Sequence, residues 1–158
     1  MSLRVVLTHY LESLRERNEL DALLPEIVVA MGHSVISRPQ VGVAQGGVDL
    51  VSVFAPDGVH REIHLWILKF GDVGRADMLA GVQAIDPSVR EACVTFVPHR
   101  LDAHLRALPI HIVVVSNGEL RQEARDAWTG PVDQIRTQHG HDVEFWGMDQ
   151  LTPLIETH

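Results

Sequence analysis

Two residues form a chemical pair: Asp49, in the run Gln45-Gly46-Gly47-Val48-Asp49, and Lys69, in Ile67-Leu68-Lys69-Phe70-Gly71. The 13 basic residues of the chain are 12 arginines and this single lysine. Arginine and lysine substitute for each other on a solvated surface. They do not in a reacting site, where a compact ammonium on a flexible stem has its own uses. A carboxylate and a lysine at one point can serve phosphodiester hydrolysis. The carboxylate holds a divalent metal that activates water and neutralises developing charge, and the lysine positions or deprotonates the nucleophile. The plain alternative is an Asp–Lys ion pair that braces a hairpin.

A hairpin is what must position them. Residues 48–54 are rich in β-branched side chains, Ala55-Pro56-Asp57-Gly58 supplies turn chemistry, and 63–70 form the return strand. Side chains alternate along a strand, so Asp49, Val51 and Val53 share one face, and Leu65, Ile67 and Lys69 share one face of the partner. An odd-to-odd register sets Asp49 and Lys69 on the same side. Both then lie at the end of the hairpin remote from its turn, beside Gly46, Gly47, Gly71 and Gly74.

Helical spacing of apolar residues predicts helices over 3–17 and 20–31, the second with a break just before Pro25 and a C-cap at Gly32. Val35 and Ile36 read as a short extended piece. Residues 78–92 read as helix interrupted at Asp86-Pro87, and 110–115 as a buried central strand. Residues 119–138 read as helix broken at Gly130-Pro131, 143–146 as a last strand and 148–157 as a last helix. The expected fold class is α/β, a mixed central sheet flanked by helices, in a single domain spanning 1–158.

Composition bounds the function. With 158 residues, 46% of them hydrophobic, the chain can bury a full core. One cysteine, Cys93, excludes an internal disulfide framework and points to a reducing, cytoplasmic compartment. No apolar run approaches the ~20 residues that cross a bilayer. A net charge of −8 argues against a protein that coats nucleic acid non-specifically. A local basic site remains compatible with it, the acidity then sitting on Glu12, Glu16, Glu19 and Asp21.

From Pro25-Glu26 to Lys69-Phe70-Gly71-Asp72 the chain resembles the PD-(D/E)xK nuclease superfamily, in particular its Mrr-like, restriction-endonuclease-like type. The pattern is a glutamate on an early helix ended by glycine, a polar glycine-bearing loop, G-x-D on a strand, a hairpin turn, and an apolar strand ending in (E/Q)-x-K. Here these are Glu26, Gly32, Gln45-Gly46-Gly47-Val48-Asp49 and Ile67-Leu68-Lys69. The resemblance implies a restriction-endonuclease-like fold and Mg²⁺- or Mn²⁺-dependent cleavage of DNA, double-stranded by preference. It implies metal binding at Asp49, catalysis at Lys69 and a supporting acid at Glu26. A homo-oligomer, or fusion to further domains in a restriction, defence or repair context, follows by the same analogy.

One position departs from the pattern. Ile67 stands where the superfamily has Glu or Gln, and an isoleucine side chain cannot ligate a metal. Glu26, the backbone carbonyl of Leu68, or Asp72 would have to compensate; Glu62, even-numbered, faces away. Without compensation the chain is a nuclease fold that no longer cuts but binds nucleic acid or assembles a complex. A small-molecule or protein-interaction sensor on an α/β scaffold is the third reading. Phosphate contacts fall to Arg75, which follows Gly71-Asp72-Val73-Gly74, to Arg38 and to Gln45, whereas Arg61 and Arg100 read as solvated surface.

The ten histidines invite a zinc reading, but His139-Gly140-His141 and His158 lack partners at a recognised spacing. His64 shares a face with Trp66 and Leu68, opposite Lys69, and reads as a satisfied, half-buried histidine. Ser116-Asn117-Gly118-Glu119 reads as a capped turn, and Cys93 as core. No phosphate-binding loop motif occurs, which excludes a P-loop NTPase.

Overall fold

The structure, a computed structural model, describes residues 20–37, 48–69, 85–116 and 122–147. In chain order these form α1 (Leu20–Ala30), β1 (Ser34–Ser37), β2 (Leu50–Phe54), β3 (Glu62–Lys69) and α2 (Ile85–Glu91). A wide π turn (Ala92–Phe96) prolongs α2 into α3 (Val97–His99). Then come α4 (Ala103–Arg106), β4 (Ile110–Ser116), α5 (Gln122–His139) and β5 (Asp142–Trp146). The helices expected over 3–17 and 148–157 lie outside the described residues.

The strands make one sheet in the order β1-β2-β3-β4-β5. β1 and β2 pair antiparallel, as do β2 and β3, while β3, β4 and β5 run parallel. Parallel strands need helical crossovers, which here cover one face while α1 covers the other, so the inner strands read as apolar throughout. Strand β4, Ile-His-Ile-Val-Val-Val-Ser, is buried at every position but His111. The hairpin register pairs Val51 with Leu65 and Val53 with Ile63, an odd-to-odd alignment that alternation alone leaves open.

Alternation divides the core in two. One face presents Val51, Ile63, Leu65, Ile67, Ile112, Val114 and Val143, covered by Val89, Ala92, Cys93 and Phe96 and by Val132 and Ile135 of α5. The other presents Leu50, Trp66, Leu68, Val113 and Val115, covered by Leu24 and Val28 of α1. Each such buried aliphatic side chain contributes roughly 1.5–3 kcal/mol over its exposed state.

Two expected helix breaks do not occur. α1 runs through Pro25, and α5 runs through Gly130 and Pro131. Each proline deletes one i→i−4 hydrogen bond. The flanking residues offset that loss by packing: Leu24, Ile27 and Val28 in α1, Val132 and Ile135 in α5. In α5 the residue before proline is glycine, which has no Cβ to meet the proline ring and so accepts the helical conformation. Asp86-Pro87 falls in the first turn of α2, where a proline's missing N–H costs no helical hydrogen bond, and the stretch 78–84 of the expected helix lies outside the described residues.

α1 ends at Gly32 as expected, with φ +99°. The amide of His33 bonds the carbonyl of Val28 and that of Gly32 the carbonyl of Val29, the two bonds of a Schellman cap. A Cβ at Gly32 would meet Phe54 Cε2 at 3.5 Å, ordinary contact, so the cost of substitution lies in the backbone. Gly32→Ala is expected to destabilise by about 1–2 kcal/mol. A urea melt reads this directly, and an unchanged midpoint would show that the cap conformation carries no such strain.

Candidate active site at the end of the central strands

Lys69 is the last residue of β3 and Ser116 the last of β4, and the two are register neighbours. β2 runs the opposite way, so Asp49, just before its first residue, reaches the same end of the sheet. That end is where the parallel strands terminate, the usual location of ligand sites in α/β sheets. Ile67, Lys69 and Ser116 share the face that carries α2, and along β3 and β4 the apolar lining of that face turns polar at this end.

Lys69 Nζ donates to Ser88 Oγ of α2 at 3.1 Å. Burial pushes the Lys69 pKa down, and the Asp49 carboxylate opposes that shift. Asp49 has a backbone task as well. Its N–H donates to the Trp66 carbonyl at 2.9 Å, and its Oδ2 accepts the Leu68 N–H at 2.8 Å, standing in for the next acceptor of the ladder. Even-numbered residues of β3 thus turn their backbone polar groups toward β2, while Ile63 N–H bonds Pro109 on the β4 side. The Leu68 carbonyl accordingly faces the side on which Asp49 sits.

Ile67 is 1% exposed and belongs to the apolar core directly under this end. Glu26 lies on α1, exposed, and α1 packs on the other face through Leu24 and Val28. The structure therefore brings Asp49 and Lys69 together and sets Glu26 on the helix across the sheet. Arg75, Arg38, Gln45 and Asp72 lie outside the described residues. Arg61 and Arg100 are exposed.

Among the described residues no three His, Cys, Asp or Glu side chains could jointly hold a metal ion. What the site does offer is hard oxygen, from the Asp49 carboxylate and the Leu68 carbonyl. Such a donor set suits Mg²⁺, which keeps several waters and binds through one or two carboxylates plus substrate phosphate, rather than zinc.

No protein-family model matches the chain, and no curated protein matches it. Among solved structures, the MspJI restriction endonuclease in complex with a 27-mer oligonucleotide superposes with a TM-score of 0.50 at 13% identity. The match covers 96% of this chain and 31% of that protein, so the chain spans about a third of its neighbour's length. The fold is restriction-endonuclease-like.

Within that restriction-endonuclease-like fold, two polar residues at the site escape sequence reading. Ser116 was hidden in what reads as a turn, and only the β3–β4 register sets it beside Lys69. Ser88 follows a proline at a helix start and carries no sequence signal at all; packing of α2 over the sheet delivers it.

His33, His64 and His111 cluster elsewhere, on the opposite face toward the hairpin turn. Glu62 lies between His64 Nε2, at 2.9 Å, and His111 Nε2, at 3.2 Å, and the two rings stack 5.0 Å apart. His64 is satisfied at one nitrogen only, since its buried Nδ1 has no hydrogen-bond partner, and burial lowers its pKa. His33 stacks on Phe54 at 4.4 Å, and its Nδ1 lies 2.9 Å from Ser52 Oγ. The same Oγ accepts the Trp66 Nε1–H. Cys93 is buried, its thiol pushed up to about 11, and acts as core. None of the described helices is long and apolar enough to cross a membrane.

Proposed function

We propose that the chain is a metal-dependent DNA endonuclease domain of the PD-(D/E)xK, Mrr-like type. One observation carries the reading: Asp49 and the only lysine share the carboxyl end of the parallel strands, within electrostatic range of each other, in a restriction-endonuclease-like fold. Asp49 and the Leu68 carbonyl would hold Mg²⁺ or Mn²⁺, and Glu26, on the helix across the sheet, would act on the metal only through bound water. When bound, the metal lowers the pKa of a coordinated water and offsets charge on the phosphate.

The protein's own groups do the remainder. Lys69, held at its ammonium by Ser88, orients the attacking water and faces the charge that develops on the phosphate. The Ile67 side chain walls the site with hydrocarbon, and a less polar wall strengthens the field of that ammonium. Arg75, Arg38 and Gln45 would contact the phosphates of double-stranded DNA.

A second reading has its own observation. Ile67 is sealed in the core where the superfamily carries an acid, which favours a domain that binds DNA or assembles a complex without cutting. Supercoiled plasmid incubated with Mg²⁺ or Mn²⁺, with EDTA, and with Asp49→Ala and Lys69→Ala variants separates the two. Metal-dependent nicking that both variants lose is the expected result. DNA binding without nicking in the wild type gives the site to the second reading.

A further inference from the structure

We propose that Ser88 is a positioning residue for Lys69: the hydroxyl supplied by α2 anchors the ammonium and keeps it from folding onto Asp49. The proposal rests on the reading above for its function but on the Ser88–Lys69 contact for its geometry. A lysine has four rotatable bonds, so one attractive neighbour does not define where its charge sits. Among the described residues, the formal charge that acts on Lys69 is that of Asp49. Left to that attraction alone, the ammonium would settle on the carboxylate, and neither group would be open to a phosphate or a water. Ser88 Oγ at 3.1 Å supplies an attachment point from another element.

The attachment is rigid for reasons visible in the packing. Val89, next to Ser88, is 4% exposed and belongs to the core that contains Ile67. Lys69 ends β3, whose register with β4 runs unbroken from Ile63 to Lys69. Helix and strand are therefore locked to each other at this point, and the hydroxyl and the ammonium inherit that lock. An uncharged acceptor is what the task requires. A carboxylate at position 88 would pair with the ammonium outright, and an alanine would release it.

Because Lys69 is the only lysine in the chain, a protein grown with ¹³Cε-labelled lysine reports on this one side chain without DNA or metal. Relaxation of the Cε signal at a single pH should show a restricted ammonium end in the wild type. Ser88→Ala should free it, with the anchored population falling roughly tenfold, as loss of one hydrogen bond to a charged donor implies. Ser88→Thr, which restores a hydroxyl, should recover the wild-type signal. Unchanged relaxation in Ser88→Ala, with the amide spectrum still folded, would overturn the proposal. In plasmid nicking, Ser88→Ala should lower kcat about tenfold with KM unchanged, and Ser88→Thr should rescue it. If the wild type does not nick, the endonuclease reading fails on its own, and the Cε relaxation still decides whether Ser88 positions Lys69.

Discussion

Lys69→Met is expected to lower metal-dependent nicking by roughly 10²- to 10⁴-fold, the range associated with losing a positioned proton-handling or charge-stabilising group. Methionine keeps the length of the lysine stem and therefore its packing against the core, so stability should move by less than about 1 kcal/mol. Removing a half-buried ammonium also removes a group that burial disfavours in its charged form. Asp49→Asn is the companion experiment. The amide keeps an oxygen able to accept the Leu68 N–H, so the end of the hairpin stays closed while the charge is gone. A fall in nicking of similar size in Asp49→Asn, with a melting curve close to wild type, would separate metal binding from the backbone task of that carboxylate. Full nicking by Lys69→Met would remove Lys69 from the chemistry and leave the pair as a brace.

Acid should weaken the fold by about 3 kcal/mol between pH 6.5 and pH 4 through one residue, His33. His33 is 6% exposed, and burial, helped by the nearby His64, holds its pKa down to about 4 against the ordinary 6.5; Glu62 pulls the other way. Between those two pH values the unfolded chain carries a proton on this ring that the folded chain does not. Stability therefore falls as pH falls, by about 1.4 kcal/mol for each unit, and levels off below pH 4. The groups against the ring are uncharged: the Ser52 hydroxyl lies at Nδ1 and Phe54 stacks on its face. Urea melts at a series of pH values measure this directly. His33→Gln keeps a hydrogen-bond partner for Ser52 and should lower stability at pH 7 while flattening the slope between pH 6.5 and 4. Equal slopes in wild type and variant would assign the acid sensitivity to other groups.

The hairpin is the part of the site most legible in the sequence, because alternation is a strict two-residue rule. Once β2 and β3 are recognised and their register is odd-to-odd, Asp49 and Lys69 share a side. The buried strand β4 was equally legible, since a strand covered on both faces must be apolar throughout. Helix continuity was not. Pro25 and Gly130-Pro131 carry strong local signals to stop, and the packing of Leu24, Val28, Val132 and Ile135 overrides them. Local propensity is worth about 1–3 kcal/mol at such positions, which several buried aliphatic side chains exceed.

Sequence alone thus determined the alternating faces and the burial of β4, and singled out Asp49 and the only lysine as a pair; the register that aligns them came from the fold. Tertiary structure decided which groups surround that pair. It brought Ser88 from a helix 19 residues on in the chain to the Lys69 ammonium, and Ser116 from the next parallel strand. It set Glu26 on the helix across the sheet and sealed Ile67 beneath the site. The physical reason is one of range. Side-chain direction along a strand is a local property of the backbone, whereas the neighbours of a charge are chosen by how separate elements bury their apolar faces against one another.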